Sequence, residues 1–190
     1  EQLLKQMADE NFTPVILRNA TVFGLSPRMR FDLAVNNLTG RGWTIGEIKM
    51  DSDGTPWRPF VHILDVCDAM KAVLLAPRET VNTQIFNVGS TRSNYQIKDI
   101  AEIISQELPK CKITFNPNAP DKRNYRVNFD KINSLLLGFK AERTVKQGVT
   151  EILAILKKND IKQEEFESRL YTRLKQIKFL LESKIIDAKL

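Results

Sequence analysis

An α/β fold is predicted by three features of this sequence. Two apolar runs, at 14–18 and 84–89, are too short for helices and rich in Val and Ile, as buried parallel strands are. Longer stretches between and after them repeat apolar residues every three or four positions, as amphipathic helices do. Glycine or proline stands at the expected boundaries at 14, 27, 40, 54, 77, 89 and 138.

Glu1-Gln2-Leu3-Leu4-Lys5-Gln6-Met7 has helical periodicity but no N-cap or preceding loop. A helix already under way is expected there, and with it a longer parent protein. The strand at 14–18 comes next. Residues 19–27 read as the loop after it, a ligand position in open α/β sheets. Residues 28–37 read as a helix with Met29, Leu33 and Leu38 inward, stopped by Gly40. Residues 43–50 alternate as a half-exposed strand does, and Asp51-Ser52-Asp53-Gly54 is a turn.

Chemistry concentrates in Thr55-Pro56-Trp57-Arg58-Pro59-Phe60-Val61-His62-Ile63-Leu64-Asp65. Two prolines fix Trp57-Arg58 as a rigid extended loop, which aims Arg58 at an anion. A short strand over 60–63 follows. From Leu64 the spacing is helical, with Val66, Ala69, Met70, Val73 and Leu74 recurring. His62 is the only histidine, yet it lies on an apolar strand just before a helix. Asp65, three residues on, suits a cap in which its carboxylate reaches back to free N–H groups. Both are read as structural. No second His or Cys lies at ligand spacing, so no metal site is expected.

The second buried strand, 84–89, closes on Gly89, which allows a tight turn. Asn87 is expected to bond to backbone rather than to a ligand. Ser93-Asn94-Tyr95-Gln96 leads into a helix through Glu107, with Ile97, Ile100, Ala101, Ile103 and Ile104 on its apolar face. A short strand over 112–115 and a polar loop over 116–124 follow. Residues 125–129 alternate again. Asp130 caps a short helix to Leu137, and 144–157 is an amphipathic helix.

The tail from Asp160 reads as one helix, with Phe166, Leu170, Leu174, Ile177 and Leu181 on a stripe. Glu164, Glu165 and Glu167 come early and Arg169, Arg173, Lys175 and Lys178 late, which suits the helix dipole. The stripe is expected to dock on the body, with a dimerisation helix as the alternative. The resulting division is 1–158 and 159–190.

Composition narrows the function classes. The chain is 42% hydrophobic and 27% charged, as ordinary globular proteins are. Its net charge of +6 suits an anionic ligand, but the basic residues are scattered and do not alternate with aromatics. That pattern argues against nucleic acid. No apolar run approaches the ~20 residues of a membrane span. Cys67 and Cys111 read as reduced thiols, and the cytoplasm is the expected compartment.

Three segments in order, Leu17-Arg18-Asn19-Ala20-Thr21-Val22-Phe23-Gly24, Trp57 through Asp65, and Phe86-Asn87-Val88-Gly89, resemble one family. They look like the carboxyl-terminal half of extended short-chain dehydrogenase/reductases, the NAD(P)-dependent nucleotide-sugar epimerases and dehydratases. The likeness runs from about residue 1 to 155 and takes in Asp121-Lys122-Arg123-Asn124-Tyr125 and Asp130-Lys131. It implies part of a Rossmann-like fold: two parallel strands of the main sheet, a small α/β substrate-binding subdomain and a helical tail.

The resemblance also implies roles. Asn19 and Ala20 approach the nicotinamide of NAD or NADP. Thr21 approaches the substrate, where many relatives carry asparagine. Arg58 binds the diphosphate of a nucleotide-diphosphate sugar, because a guanidinium makes two charge-assisted hydrogen bonds to phosphate at once. Arg123 is a second diphosphate-side arginine, and Arg28 or Arg30 lies by the nucleotide. The family's glycine-rich loop and catalytic Tyr-x-x-x-Lys belong upstream of residue 1. Tyr171 with Lys175, and Tyr95 with Lys98, are not that pair.

No catalytic residue is therefore expected here, no turnover, and little cofactor affinity for the chain alone. The implied partners are the N-terminal Rossmann part and a second copy. The alternative is a non-catalytic sugar-nucleotide-binding or regulatory module on the same scaffold. Sugar, base and reaction type stay open.

Overall fold

Strands and helices alternate through the computed structural model, which describes residues 1–50, 52–116 and 123–187. The first half contains α1 (Gln2–Gln6), β1 (Ile16–Asn19), β2 (Thr21–Phe23), α2 (Ala34–Thr44), β3 (Glu47–Lys49), β4 (Trp57–His62), α3 (Ile63–Leu75) and α4 (Arg78–Val81). The second half contains β5 (Ile85–Val88), β6 (Asn94–Gln96), α5 (Ile97–Glu107), β7 (Lys112–Thr114), α6 (Asp130–Leu135), α7 (Val145–Lys158), α8 (Gln163–Phe166) and α9 (Arg173–Glu182).

β1 and β5 pair in parallel, with Ile16 opposite Ile85 and Asn19 opposite Val88. The two short apolar runs are thus the parallel strands the sequence predicts. Ala20 N donates to Val88 O at 3.0 Å, and at Thr21 the chain passes to a second sheet. There β2 runs parallel to β4, Thr21 opposite Phe60, and β6 runs antiparallel on the other side, Tyr95 opposite Arg58. β3 and β7 form a third, parallel pair.

Three apolar clusters join these pieces. Phe86 and Val88 of β5 pack with Val66 and Ala69 of α3, Ile132 of α6 and Phe129. Phe23 and Phe60 pack with Val35 and Leu38 of α2, Ile100 and Ile104 of α5, and Val149 of α7. Phe31, Ile152, Leu156, Ile161 and Phe166 form the third, where the tail meets α2 and α7.

Several expectations change. The loop expected at 19–27 contains β2, because Thr21-Val22-Phe23 finds a partner in β4. The helix expected over 28–37 begins only at Ala34. Before it, the Asn36 and Asn37 amides donate to the carbonyls of Arg30 (3.0 Å) and Phe31 (2.6 Å), which holds 28–33 as a loop. Gly40 does not stop α2. It lies inside the helix, where a Cβ would stand 2.2 Å from Phe166 Cε2. The strand expected over 43–50 shrinks to β3.

Trp57-Arg58 belongs to β4 rather than to a loop. Pro59 faces Asn94 of β6, and pairing with β2 begins at the next residue, so the proline sits where the strand changes sides. Met70 and Leu74 of α3 turn outward, while Val66 and Ala69 are buried. No strand forms over 125–129; Val127 is bonded by the side chain of Asn94 instead. Asp130 is the first residue of α6, not its cap.

The tail is two helices, not one. Phe166 and Tyr171 both pack on Phe31, which folds the chain back between α8 and α9. Docking of the stripe stops there, for α9 buries none of its residues. Residue 51 of the expected 51–54 turn, and 117–122 of the expected loop with Asp121 and Lys122, lie outside the described residues.

Candidate functional site

β1 passes directly into β2, which runs parallel to the second half of β4, Thr21 lying opposite Phe60. Asn19, Ala20 and Thr21 therefore follow one another along the seam between the two sheets. Ala20 is buried there, and Asn19 is exposed at the strand end.

Arg58 is sunk into the β4–β6 ribbon, 7% exposed. Its Nη1 donates to Trp57 O at 2.7 Å, and its guanidinium lies 5.3 Å from the centre of the Tyr125 ring. Such a stack orients a planar cation. Arg58 belongs to a strand, so its backbone is fixed by pairing with Tyr95 of β6.

The segment carrying Arg123 is laid against the same strand. Trp57 N donates to Asn124 Oδ1 at 3.0 Å, and Tyr125 N donates to Trp57 O at 3.2 Å. Arg126 stacks 4.9 Å over the Trp57 ring, on the neighbouring residue of β4. Asn94 then pins the segment, accepting from Val127 N and donating to Val127 O. The structure thus brings together the residues around Arg58 and around Arg123, which are far apart in sequence. Beside them is a cavity of about 400 Å³ lined by Trp57, Thr91, Asn94, Arg126, Val127 and Asn128.

Arg30 is placed differently. Its Nε and Nη2 donate to the two oxygens of Asp32 at 2.9 and 2.8 Å. That bond raises the guanidinium pKa and lowers that of the Asp32 carboxyl. The loop holding the pair is tied to the end of β2 by Asn36, which accepts from Gly24 N at 3.1 Å and donates to Arg30 O. Arg28 is exposed on the same loop.

His62 and Asp65 both bond within the fold, with roles other than the expected Asp65 cap. His62 itself caps α3, its Nδ1 accepting from Leu64 N at 3.2 Å. Accepting at Nδ1 leaves the proton on Nε2, which faces Glu151 Oε2 at 3.0 Å. The ring is fully buried, edge-on to Phe23, and a Cβ on Gly24 would stand 2.6 Å from its Nε2. Asp65 does not reach back to the helix start. It is also buried, and accepts from Arg143 N (3.2 Å) and Arg143 Nη1 (2.5 Å). Asp68 and Asp65 together hold the Arg143 pKa above its ordinary value. No group of three metal-ligating side chains occurs among the described residues.

One sequence pattern can be set aside. Tyr171 does not face Lys175: its hydroxyl donates to Glu165, while Lys175 donates to Glu167 O. Sequence reasoning missed Tyr125 and Glu151. Tyr125 had a weak signal in its position two residues after Arg123. Glu151 had none, being 89 residues from His62.

Known proteins support this frame. The chain is similar in structure to an NAD-dependent NDP-hexosamine 5,6-dehydratase of tunicamycin biosynthesis, with 21% identity and a TM-score of 0.68 over 80% of this chain and 48% of that one. It is similar to UDP-glucuronic acid 4-epimerase from Bacillus cereus, solved with UDP-glucuronic acid and NAD, at 23% identity and TM-score 0.67, covering 78% and 46%. It is also similar to UDP-glucose 4-epimerase from Thermotoga maritima, solved with UDP-glucose, at 20% identity and TM-score 0.69, covering 84% and 51%. The chain spans about half the length of these structures, and at such identities the likeness establishes the Rossmann-like α/β fold. Residues 1–89, which carry β1, β2, Arg58 and β5, match the NAD dependent epimerase/dehydratase family model.

Proposed function

We propose that this chain is the nucleotide-sugar-holding portion of an NAD(P)-dependent epimerase or dehydratase. The observation that carries this reading is Arg58, a guanidinium fixed in β4 two residues before that strand pairs with Thr21 of β2, with the Arg123 segment laid against the same strand. Two arginines there suit a diphosphate, whose oxygens accept paired charge-assisted bonds. Thr21 offers one hydroxyl to the sugar, and Asn19 and Ala20 form a rim for the nicotinamide. Arg30 contributes to the nucleotide only by giving up Asp32.

A bound nicotinamide supplies hydride transfer, and the residues described here hold and orient the sugar nucleotide. The residues present supply one edge of a cofactor site, with no glycine-rich loop and no usable Tyr-x-x-x-Lys in the sequence. We therefore expect no turnover from this chain alone and only weak NAD binding. The dinucleotide-binding part comes from a further polypeptide segment, and 159–190 is a helical appendage.

Structures similar to this chain were solved with UDP-glucuronic acid and UDP-glucose, so these are the first ligands to test. Titration calorimetry on the wild type and Arg58→Ala should show roughly tenfold to hundredfold weaker binding in the variant, as expected for a charge-assisted contact. Equal affinity would remove Arg58 from the site. Measurable epimerisation or dehydration by the chain alone would sink the expectation of inactivity.

A further inference from the structure

The aliphatic stripe of the tail faces water. Leu170 is 65% exposed, Leu174 62%, Ile177 41%, Leu181 37% and Ile185 64%. At about 100° per residue the order around α9 is Arg173, Ile177, Leu181, Leu174, Lys178. A cation therefore borders the stripe on each side. The far side of α9 rests on its own chain: Arg169 donates to Gln176 Oε1 at 2.6 Å and stacks 3.9 Å over the Phe179 ring, and Lys175 donates to Glu167 O. One face of the helix is open.

We propose that this face docks on an anionic lipid bilayer. Charge argues against a second copy, since pairing two stripes would set Arg173 and Lys178 of one chain against the same cations of the other. A bilayer surface needs only the one open face. Its phosphates meet the bordering cations while the aliphatic side chains enter the acyl boundary, the helix lying in the interface plane. Among the described residues no helix is long and apolar enough to cross a membrane, so the contact is peripheral.

The test is co-sedimentation of the full chain with vesicles of phosphatidylcholine, alone or mixed with phosphatidylserine. Binding is expected to the mixed vesicles only, and to weaken with added salt. Arg173→Gln/Lys178→Gln should weaken it on the order of 30-fold, from two lost cation contacts. Ile177→Glu should abolish it, and circular dichroism should show both variants folded. The proposal is overturned by absence of sedimentation with phosphatidylserine, or by binding indifferent to the two variants. A concentration-dependent dimer lost in Ile177→Glu, without vesicle binding, assigns the face to a second copy instead. Binding to polyglutamate but not to vesicles assigns it to an acidic protein.

Discussion

Arg58 and Asp65 stand seven residues apart, and each is a buried charge with a different solution. Arg58 is stacked on Tyr125 and bonded to a backbone carbonyl, which together orient its guanidinium. Asp65 is committed to Arg143, at both the backbone N–H and the guanidinium. A buried carboxylate that loses its cation keeps its full desolvation cost, while an arginine that loses one acid of two does not. Arg143→Ala should therefore destabilise by about 2–3 kcal/mol, below the 3–5 typical of a fully buried pair, because the Arg143 side chain is 36% exposed. Asp65→Asn keeps an acceptor for Arg143 N and leaves Asp68 to the guanidinium, so it should cost less. Urea midpoints of the two variants test the order, and a reversed order would show that Asp65 does not depend on Arg143.

At the scale of elements, α2 and the tail are fitted to each other at Gly40. The helix has no room for a side chain there, since Phe166 lies against it and is itself locked between Phe31 and the helix. Gly40→Ala should destabilise by about 1–3 kcal/mol through overpacking, and Phe166→Ala by roughly 3–4 kcal/mol through the lost ring. In the Phe166→Ala background the sign of Gly40→Ala should reverse, because alanine is the better helix former by about 1 kcal/mol. Thermal or urea unfolding of the four proteins closes that cycle. Simple additivity would mean that the tail does not dock on α2. This glycine was legible in the sequence only as a helix terminator, since nothing local distinguishes a glycine that ends a helix from one that admits a distant ring.

For the whole molecule, the two-stranded β1–β5 sheet is the feature that calls for company. Among the described residues each of its strands pairs with one neighbour, so both outer edges present unpaired backbone groups. α3 adds Leu74 and Leu75, 84% and 75% exposed, and Leu137 is 91% exposed. Open edges beside exposed apolar side chains favour association. Light scattering after size exclusion should find dimers or larger species whose share rises with concentration. A monodisperse monomer that unfolds cooperatively would count against the reading that these edges await a further part.

The sequence by itself determined the α/β class, the parallel strands at 14–18 and 84–89, and the helices at 97–107 and 144–157. These rest on local periodicity and on short motifs, which neighbouring residues suffice to specify. Tertiary structure decided where α2 begins, that Trp57-Arg58 is strand, that His62 caps while Asp65 pairs with Arg143, and that the tail breaks before α9. It also decided that the Arg58 and Arg123 segments meet. Each of those outcomes depends on a partner between 35 and 140 residues away: Tyr171 for the 28–33 loop, β6 for β4, Glu151 for His62, Asn124 for Trp57, and Phe31 for Phe166. A contact of that range leaves no mark on local spacing, because the chain between the partners is free to vary without moving either one.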